Sequence, residues 1–442
     1  MEQLVKLNRY KKEGYITYYE TDEPVLIPTN YVEKDPHVRG VWFSTVANID
    51  IPQMKDPERY KEYLRGIIAK VKEYNLNTII FQVRPSNDAF YESQINPWSR
   101  FITGIEGEGL GFDIFGWFVE EAKKENIKVH AWINPYRVST ESLFEMDGIF
   151  SKEEYLSKLH ELNFARRNPE CVIFTKKGKL ILDPANAKVR DYVTDTVLEI
   201  ARKYDIKAIH IDDYFYPYDG IADPFEEKKY ALVQDLFPTI DDYRRENVNM
   251  LIKQIHEALQ TLDKKVEFGI SPFGIHRTNS KFFPPENPGG WEKGSNNHHS
   301  CLQAYERLYC DVYLWMKEKW IDYVVPQAYW DFDNTKEVIT ENDQVNEICL
   351  VKYADVVDWW RMIAKETNTK LYIGQGLYRY KDEGAWSNPN EIINQLKYNN
   401  RFDNILGTIF FTYKNLVEEN VASLVEARKL LKQVWTREVK EI

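Results

Sequence analysis

The segment VRDYVTDTVLEIARKYDIKAIHIDDYF, residues 189–215, contains the unit from which the fold can be inferred. Its first part places apolar residues at three- and four-residue steps, the spacing of an amphipathic helix packed on a sheet. A short polar connection then leads into AIHI, an apolar run typical of a buried strand. A helix that leads directly into a strand indicates a parallel α/β architecture.

The same alternation of strand and helix recurs along the chain. Amphipathic stretches such as 60–75 and 114–126 lie between short apolar or β-branched runs, and 423–437 follows the last run. Eight such runs occur, at 39–45, 78–85, 128–135, 208–215, 266–272, 322–329, 371–376 and 407–412. Because alternating elements give a parallel sheet and eight strands close it, the pattern predicts an α/β protein of the (β/α)8 TIM barrel class.

The length of the chain indicates how this barrel is elaborated. A barrel needs about 250 residues, so much of the 442-residue chain must lie in long βα loops, the longest at 136–188 and 273–311. Residues 1–36 are predicted to form a short N-terminal extension packed on a barrel domain at 37–442. An open doubly wound sheet is the competing architecture, but no Gly-rich phosphate turn follows any strand.

Composition excludes several classes of partner. The net charge is −11 and no extended basic cluster occurs, which argues against nucleic acid and anionic membranes. No apolar run is long enough to span a bilayer, and the four cysteines lack metal or disulfide spacing, which is typical of reduced thiols. The first residues lack the apolar core of a secretory signal. The sequence as written predicts a cytoplasmic protein, or an extracellular or cell-envelope one if an export signal has been removed.

Polar residues collect at the ends of the predicted strands, where a TIM barrel builds its site. Residues two apart share a strand face, so Gln82 would face the same way as Arg84, and Asp212 the same way as His210. If the fourth strand extends over 208–213, Asp212 faces the barrel mouth. Asp213 then points to the opposite side, at the rim. Similar late positions are held by His130, Trp132, Asn134, Ser271, Gln327, Tyr329 and Gln375.

Seven longer blocks of sequence are rich in aromatic and polar residues at the predicted strand ends: VRGVWFSTVANIDIP (38–52), FQVRPSNDAFYESQINPWSRFITG (81–104), HAWINPYRV (130–138), HIDDYFYPY (210–218), FGISPFGI (268–275), DYVVPQAYW (322–330) and YIGQGLY (372–378). In this order they resemble the blocks of the glycosyl hydrolase-like 10 family of bacterial (β/α)8-barrel proteins. The resemblance extends from about residue 38 to 412. It implies a glycoside hydrolase, and some members of the family are thought to act on glycan strands of the bacterial cell wall.

A glycosidase of the common kind needs two carboxyl groups beside the bond that it cleaves. Asp212 is the first candidate, as nucleophile or charge stabiliser, and Asp213 is a second catalytic candidate. The acid that protonates the leaving oxygen is expected after strand two or strand six, at Asp88 or Asp331. No cofactor and no metal is expected.

Other residues are candidates for substrate binding. Aromatic rings suit the flat apolar faces of sugars, and amides that both donate and accept hydrogen bonds suit hydroxyl groups. Arg84 is a candidate for a bidentate contact to a charged sugar group. The predicted set is Arg84, His130, Trp132, Asn134, Tyr136, His210, Tyr214, Gln327, Tyr329, Trp330 and Gln375, with Tyr216 as a further ring.

Two other functions remain open at the level of sequence. One is a carbohydrate-binding barrel that keeps the aromatic cleft but has no competent acid pair. The other is a metal-dependent amidohydrolase or deacetylase, in which His130, His210 and Asp212 hold a metal ion such as zinc. Loss of activity on chelation would distinguish the metal enzyme, and turnover of a glycan would distinguish the glycosidase from the binding protein.

Overall fold

The computed structural model describes residues 3–146, 148, 151–222, 224–339 and 345–442. Eight parallel strands close into one barrel, in which each strand neighbours the strands before and after it in the chain. We number them β1 to β8: Val38–Phe43, Thr78–Arg84, Lys128–Ile133, Ala208–Ile211, Glu267–Ile270, Tyr323–Val324, Lys370–Gly376 and Ile405–Phe411. The prediction of a closed (β/α)8 barrel is confirmed.

One main helix follows each strand. In chain order these helices, α1 to α8, are Pro57–Glu73, Ile114–Lys124, Ala187–Lys203, Ile240–Leu259, Val312–Lys317, Tyr353–Thr367, Glu391–Asn400 and Ala422–Val434. Their starts follow the sequence closely. Asp56 caps α1 by accepting hydrogen bonds from the backbone of Glu58 and Arg59, and Thr239 and Asp242 form a capping box at α4. The starts of α1 and α4 are thus fixed by side chains that bond the first backbone N–H groups of each helix.

The barrel interior is filled by side chains rather than open. The filling consists of Val38, Trp42, Ile80, Trp132, Ala208, Tyr323, Val325, Tyr372 and Ile409. Tyr323 crosses the axis so closely that a Cβ at Gly269 would lie 2.0 Å from its ring. Glycine is therefore required at that position of β5. The filled interior leaves the carboxyl ends of the strands as the place for a site.

Long loops and the N-terminal segment add to the barrel. The loop after β3 carries a hairpin of Val172–Phe174 and Leu180–Leu182, and the loop after β6 carries one of Thr335–Ile339 and Val345–Cys349. An N-terminal hairpin pairs Leu4–Lys6 with Leu26–Pro28. Short helices lie at Arg100–Thr103, Lys152–Lys158, Phe164–Arg167, Pro224–Ala231 and Lys414–Val417.

The N-terminal segment lies against the β6 to β7 side of the barrel. Tyr19 donates its backbone N–H to Asp355 on α6, and Arg401 after α7 donates to the Leu26 carbonyl. Arg9 forms an ion pair with Asp333 in the loop after β6, at 2.7 Å. Among the described residues, no helix has the length and apolar character needed to cross a bilayer.

Candidate active site

Two consecutive acids, Asp212 and Asp213, follow β4 at the barrel mouth. The side chain of Asp212 accepts a hydrogen bond from Asn134 Nδ2 at 2.7 Å and one from the Tyr214 backbone at 3.0 Å. Asp213 accepts a hydrogen bond from the Tyr218 hydroxyl. The two residues are only 9% and 8% exposed. Because β4 ends at Ile211, strand alternation does not continue, and the prediction that it extends to residue 213 is wrong.

The two carboxyl groups differ in the neighbouring groups that shift their pKa values. Burial raises the pKa of both carboxyl groups, and the charge of Asp212 raises the pKa of Asp213 further, to about 7. The Arg137 guanidinium and the bonds from Tyr214 and Asn134 oppose the increase in the pKa of Asp212. Close to neutral pH, the arrangement therefore favours a negative charge on Asp212 and a proton on Asp213.

A relay of hydrogen bonds fixes the orientation of Asn134. Its Oδ1 accepts from Gln82 Nε2 at 2.6 Å, and Gln82 Oε1 accepts from the backbone N–H groups of Thr45 and Val46, each at 2.8 Å. These contacts leave the Asn134 amide only its N–H side to present to Asp212. The ends of β1, β2 and β3 thus position the charged member of the pair.

Aromatic side chains flank the acids on two sides of the mouth. On the side of β6 to β8, the Tyr329 ring lies 5.7 Å from both the Tyr378 and the Phe411 rings. On the side of β4, the Tyr214 and Tyr218 rings are 6.2 Å apart. The charge of Asp213 contributes to the raised pKa values of Tyr329 and Tyr378, which indicates that this wall lies near the pair.

The floor below the acids is the upper layer of the barrel filling. Trp132 is 4% exposed, and its indole N–H lies near Asp212 without making a hydrogen bond of good geometry. The His210 imidazole bonds Tyr323 Oη at 2.9 Å and Ser271 Oγ at 3.0 Å, and His130 bonds the same Tyr323 hydroxyl at 2.8 Å. Burial lowers the pKa of both histidines. Both are neutral interior groups, which corrects the prediction that they contact substrate.

The metal trio considered from the sequence is not assembled. His130 and His210 direct their Nδ1 atoms at Tyr323 inside the barrel, whereas Asp212 bonds Asn134 above them. Within the described ranges, no group of three His, Cys, Asp or Glu side chains is arranged to hold a metal ion.

Two predicted binding residues point away from the mouth. A register shift in the pairing of β2 with β3, between Gln82 and Arg84, turns Arg84 to the outside of the barrel. There it bonds Asn87 at 2.9 Å and lies over the Tyr192 ring of α3. Gln375 also faces outward, since Tyr372 occupies the interior phase of β7, and it donates to Gln395 of α7 at 2.9 Å. Both predictions of substrate contact are wrong.

The acids expected from strands two and six lie elsewhere. Asp88 is buried and accepts hydrogen bonds from Ser99 Oγ at 2.6 Å and from the Ser86 backbone at 3.1 Å. Asp331 accepts from the Asp333 backbone at 2.9 Å, and its pKa is raised to about 6, chiefly by burial. These contacts tie each acid into its own loop. The acid adjacent to Asp212 is Asp213 instead.

The remaining predicted residues divide between the mouth and the core. Gln327 lies at the mouth, where it donates to the Ser271 carbonyl at 2.9 Å and lowers the pKa of Asp213. Tyr136 and Tyr216 are 0% and 1% exposed and belong to the core, which corrects their prediction as sugar-stacking rings. Trp330 is partly buried and packs edge-on against Phe273.

Sequence reasoning missed four residues at the mouth: Arg137, Tyr218, Tyr378 and Phe411. Arg137 and Tyr218 lie within the blocks 130–138 and 210–218, one residue after the predicted Tyr136 and five residues after the predicted Asp213. Tyr378 and Phe411 are brought to the acids by β7 and β8, across the barrel from β4. The sequence offered a signal for both, since Tyr378 ends the block 372–378 and Phe411 lies in the last predicted strand.

The mouth combines a buried carboxyl pair, amides that bond it and aromatic walls, which is the equipment of a glycoside hydrolase. Residues 37–388 match the family Glycosyl hydrolase-like 10, and the chain belongs to that family. It is 33% identical over 391 residues to "Glycosyl hydrolase YngK" of Bacillus subtilis (strain 168), covering 87% of this chain and 69% of that protein. It is 29% identical over 404 residues to "Glycosyl hydrolase DigH" of Escherichia coli (strain K12), covering 87% and 84%. The chain is a glycoside hydrolase.

Solved structures share the fold. The catalytic domain of β-amylase from Paenibacillus polymyxa superposes with a TM-score of 0.52 at 11% identity, covering 91% of this chain and 100% of that one. α-L-Fucosidase isoenzyme 2 from Paenibacillus thiaminolyticus gives 0.51 at 13% identity, covering 90% and 50%. The chain thus spans about half the length of that fucosidase. At these identities the likeness establishes the barrel and nothing of the substrate.

Proposed function

We propose that this glycoside hydrolase cleaves a glycan of N-acetylated amino sugars, of the kind found in bacterial cell walls, with Asp212 and Asp213 as its catalytic pair. The observation that carries the proposal is the coupled, buried pair at the mouth, in which the two acids have different hydrogen-bond partners. Asp213 holds a proton near neutral pH and acts as the general acid. Asp212 carries the negative charge.

Adjacent acids favour a mechanism in which the substrate supplies the nucleophile. An enzyme with its own nucleophile places the two carboxyl groups on opposite sides of the bond, about 5 Å or more apart. Here both acids follow one strand, while Asp88 and Asp331 are bound within their own loops. A 2-acetamido group removes the need for a second acid across the cleft, because its carbonyl oxygen can attack the anomeric carbon.

In the proposed first step, one bond forms at the anomeric carbon, one bond breaks there, and one proton is transferred. The acetamido oxygen forms a bond to the anomeric carbon as the glycosidic C–O bond breaks, and the Asp213 proton passes to the leaving oxygen. The Asp212 carboxylate accepts a hydrogen bond from the acetamido N–H and stabilises the positive charge of the cyclic intermediate. In the second step ionised Asp213 takes a proton from water, and the water oxygen forms a bond to the anomeric carbon as the bond from the acetamido oxygen to that carbon breaks, which restores the acetamido group and releases the sugar.

The aromatic walls support an extended substrate. Tyr378 is 36% exposed and Tyr218 39% exposed, on opposite sides of the acids, so each offers a ring face to a sugar. Asn134 and Gln327, from β3 and from the segment after β6, border the pair itself. Together these groups suit one sugar held over the acids and neighbours stacked beside it.

The test uses two glycans that differ only at C2. The protein is incubated with an N-acetylated amino-sugar oligosaccharide and with the same oligosaccharide after deacetylation, and the products are identified by mass spectrometry. We expect cleavage of the acetylated chain and a loss of at least about a hundredfold in rate on the deacetylated one. Equal rates on the two would contradict substrate participation. Turnover of neither would contradict the amino-sugar assignment.

A further inference from the structure

Arg137 is a cation at the barrel mouth whose described contacts include no carboxylate. Its Nη1 donates to the Pro85 carbonyl at 2.7 Å, and its guanidinium lies 4.8 Å above the centre of the Tyr214 ring. Its backbone is held by a bridge to Ile181 in the hairpin of the loop after β3. In the part of the chain that the structure describes, no ion pair within 4.0 Å joins Arg137 to an acid.

Three other buried or half-buried arginines of this protein pair with acids, whereas buried Arg84 bonds Asn87 and lies over the Tyr192 ring without such a pair among the described residues. Arg39 pairs with Glu33 at 2.7 Å, Arg244 with Glu226 at 2.6 Å, and Arg428 with Glu419 at 2.7 Å. Removing a guanidinium from water costs free energy that a carboxylate partner usually offsets. Arg137 is half-buried and held by Pro85 and Tyr214; its charge acts on Asp212, but no described carboxylate lies within 4.0 Å of it. Its remaining N–H groups are available to a ligand.

The position of Arg137 defines what such a ligand can be. Tyr214, whose ring lies beneath the guanidinium, donates its backbone N–H to Asp212 at 3.0 Å. A group bound by Arg137 therefore lies beside the sugar that reacts over Asp212 and Asp213. The planar guanidinium fork matches a carboxylate in two parallel hydrogen bonds.

We propose that Arg137 is a specificity-determining residue that binds a carboxylate carried by the glycan, on or next to the sugar at the cleaved bond. This inference rests on the proposed function, since it assumes that the acid pair acts on a glycan. It adds the requirement that the substrate carry a negative charge, which the acid pair and the aromatic walls do not impose. The positive charge of Arg137 also offsets the repulsion between a substrate carboxylate and Asp212.

The experiment compares one oligosaccharide with its carboxyl-reduced form, in which each carboxylate is converted to an alcohol. The measured quantity is the ratio of kcat/KM for the two substrates. We expect the parent protein to prefer the carboxylated form by about tenfold or more, as for a charge-assisted hydrogen bond. We expect Arg137→Gln to bring the ratio close to one, and Arg137→Lys to give an intermediate ratio, since lysine keeps the charge but not the fork.

The ratio isolates recognition from other effects of the substitution. A change in the protonation of Asp212, or a partial loss of folded protein, alters turnover of both substrates alike. Arg65→Gln is the matched control, since Arg65 lies on α1 with a half-exposed side chain and pairs loosely with Glu121 at 3.7 Å. It should leave the ratio unchanged. A parent ratio near one, or an unchanged ratio in Arg137→Gln, overturns the proposal.

If neither oligosaccharide is cleaved, the proposed function has failed and binding decides the role of Arg137. Calorimetry then measures the affinity of the parent and of Arg137→Gln for the same two molecules. Tighter binding of the carboxylated form, lost in Arg137→Gln and retained in Arg65→Gln, supports the carboxylate site. Equal binding of the two forms by the parent, or binding of neither, refutes it.

Discussion

Replacement of Asp213 by asparagine should stabilise the protein at alkaline pH while it lowers turnover of the glycan by about a hundredfold or more. Burial and the charge of Asp212 raise the pKa of Asp213 from 3.8 to about 7 in the folded protein. A raised pKa means that folding favours the protonated carboxyl. The stability contributed by the proton is complete at pH values below the unfolded pKa and is lost as the pH rises through about 7.

The magnitude follows from the two pKa values. Between about pH 5 and about pH 8.5, a carboxyl group with these values loses about 2–3 kcal/mol of its contribution to the free energy of unfolding. Asparagine does not titrate, so Asp213→Asn avoids this loss. It also keeps an acceptor for the Tyr218 hydroxyl. The advantage of the variant over the parent should therefore increase by about that amount across this pH range.

Urea unfolding of the two proteins at both pH values measures the difference. Asp205→Asn is the control, because Asp205 is 63% exposed and its pKa is lowered by the hydrogen bond from Lys123, so no gain at alkaline pH is expected. If the difference in free energy of unfolding between Asp213→Asn and the parent is the same at both pH values, Asp213 is not the proton-holding member of the pair.

Three further outcomes are expected. Asn134→Ala removes the hydrogen bond to Asp212, so kcat/KM should fall about tenfold or more with little change in melting temperature. Steady-state kinetics measure this effect, and an unchanged kcat/KM contradicts the positioning role of Asn134. Tyr378→Ala removes an exposed ring from the wall, so KM for a long oligosaccharide should rise several-fold while kcat changes little; the opposite pattern would place Tyr378 in the chemistry. Dialysis against EDTA should leave glycan cleavage intact, whereas loss of activity that zinc restores would support the metal alternative.

The barrel could be predicted because every unit of it carries its own pattern. Periods of 3.6 and 2 recur in the helices and strands, and residues 187–211 contain the whole of α3 and the whole of β4. Closure needs no further information once eight units alternate. The order and the parallel direction of all eight strands follow from this local information.

The orientation of individual side chains could not be predicted equally well. The shift in pairing between Gln82 and Arg84 moves Arg84 to the other face, and nothing in TIIFQVRP marks it. The end of β4 at Ile211 likewise places Asp213 at the mouth beside Asp212. One residue of strand length thus decides whether two acids form a pair.

The position of Asp212 at a strand end made it a candidate from the sequence, but its hydrogen-bond partners could not be predicted. Arg137 follows β3 and Phe411 ends β8, and closure of the barrel brings both strands to one mouth. Asp88 has the same local features as a catalytic acid and is instead bound by Ser99. Asp212 and Asp88 differ in the hydrogen-bond partners that the fold brings to them, Asn134 and Ser99, and these partners cannot be assigned from the local sequence.

In the proposed mechanism Asp213 delivers the proton and Asp212 stabilises the charge. These two roles are separated by comparing the glycan with an aryl N-acetylaminoglycoside whose phenol departs without protonation. On the glycan, Asp212→Asn and Asp213→Asn should each lose activity by about a hundredfold or more. On the aryl glycoside, Asp213→Asn should recover most of its kcat/KM for release of the phenol, which reports the first step alone, and Asp212→Asn should not. Near-normal cleavage of the glycan by either variant, or equal losses of both variants on the aryl glycoside, would contradict the account.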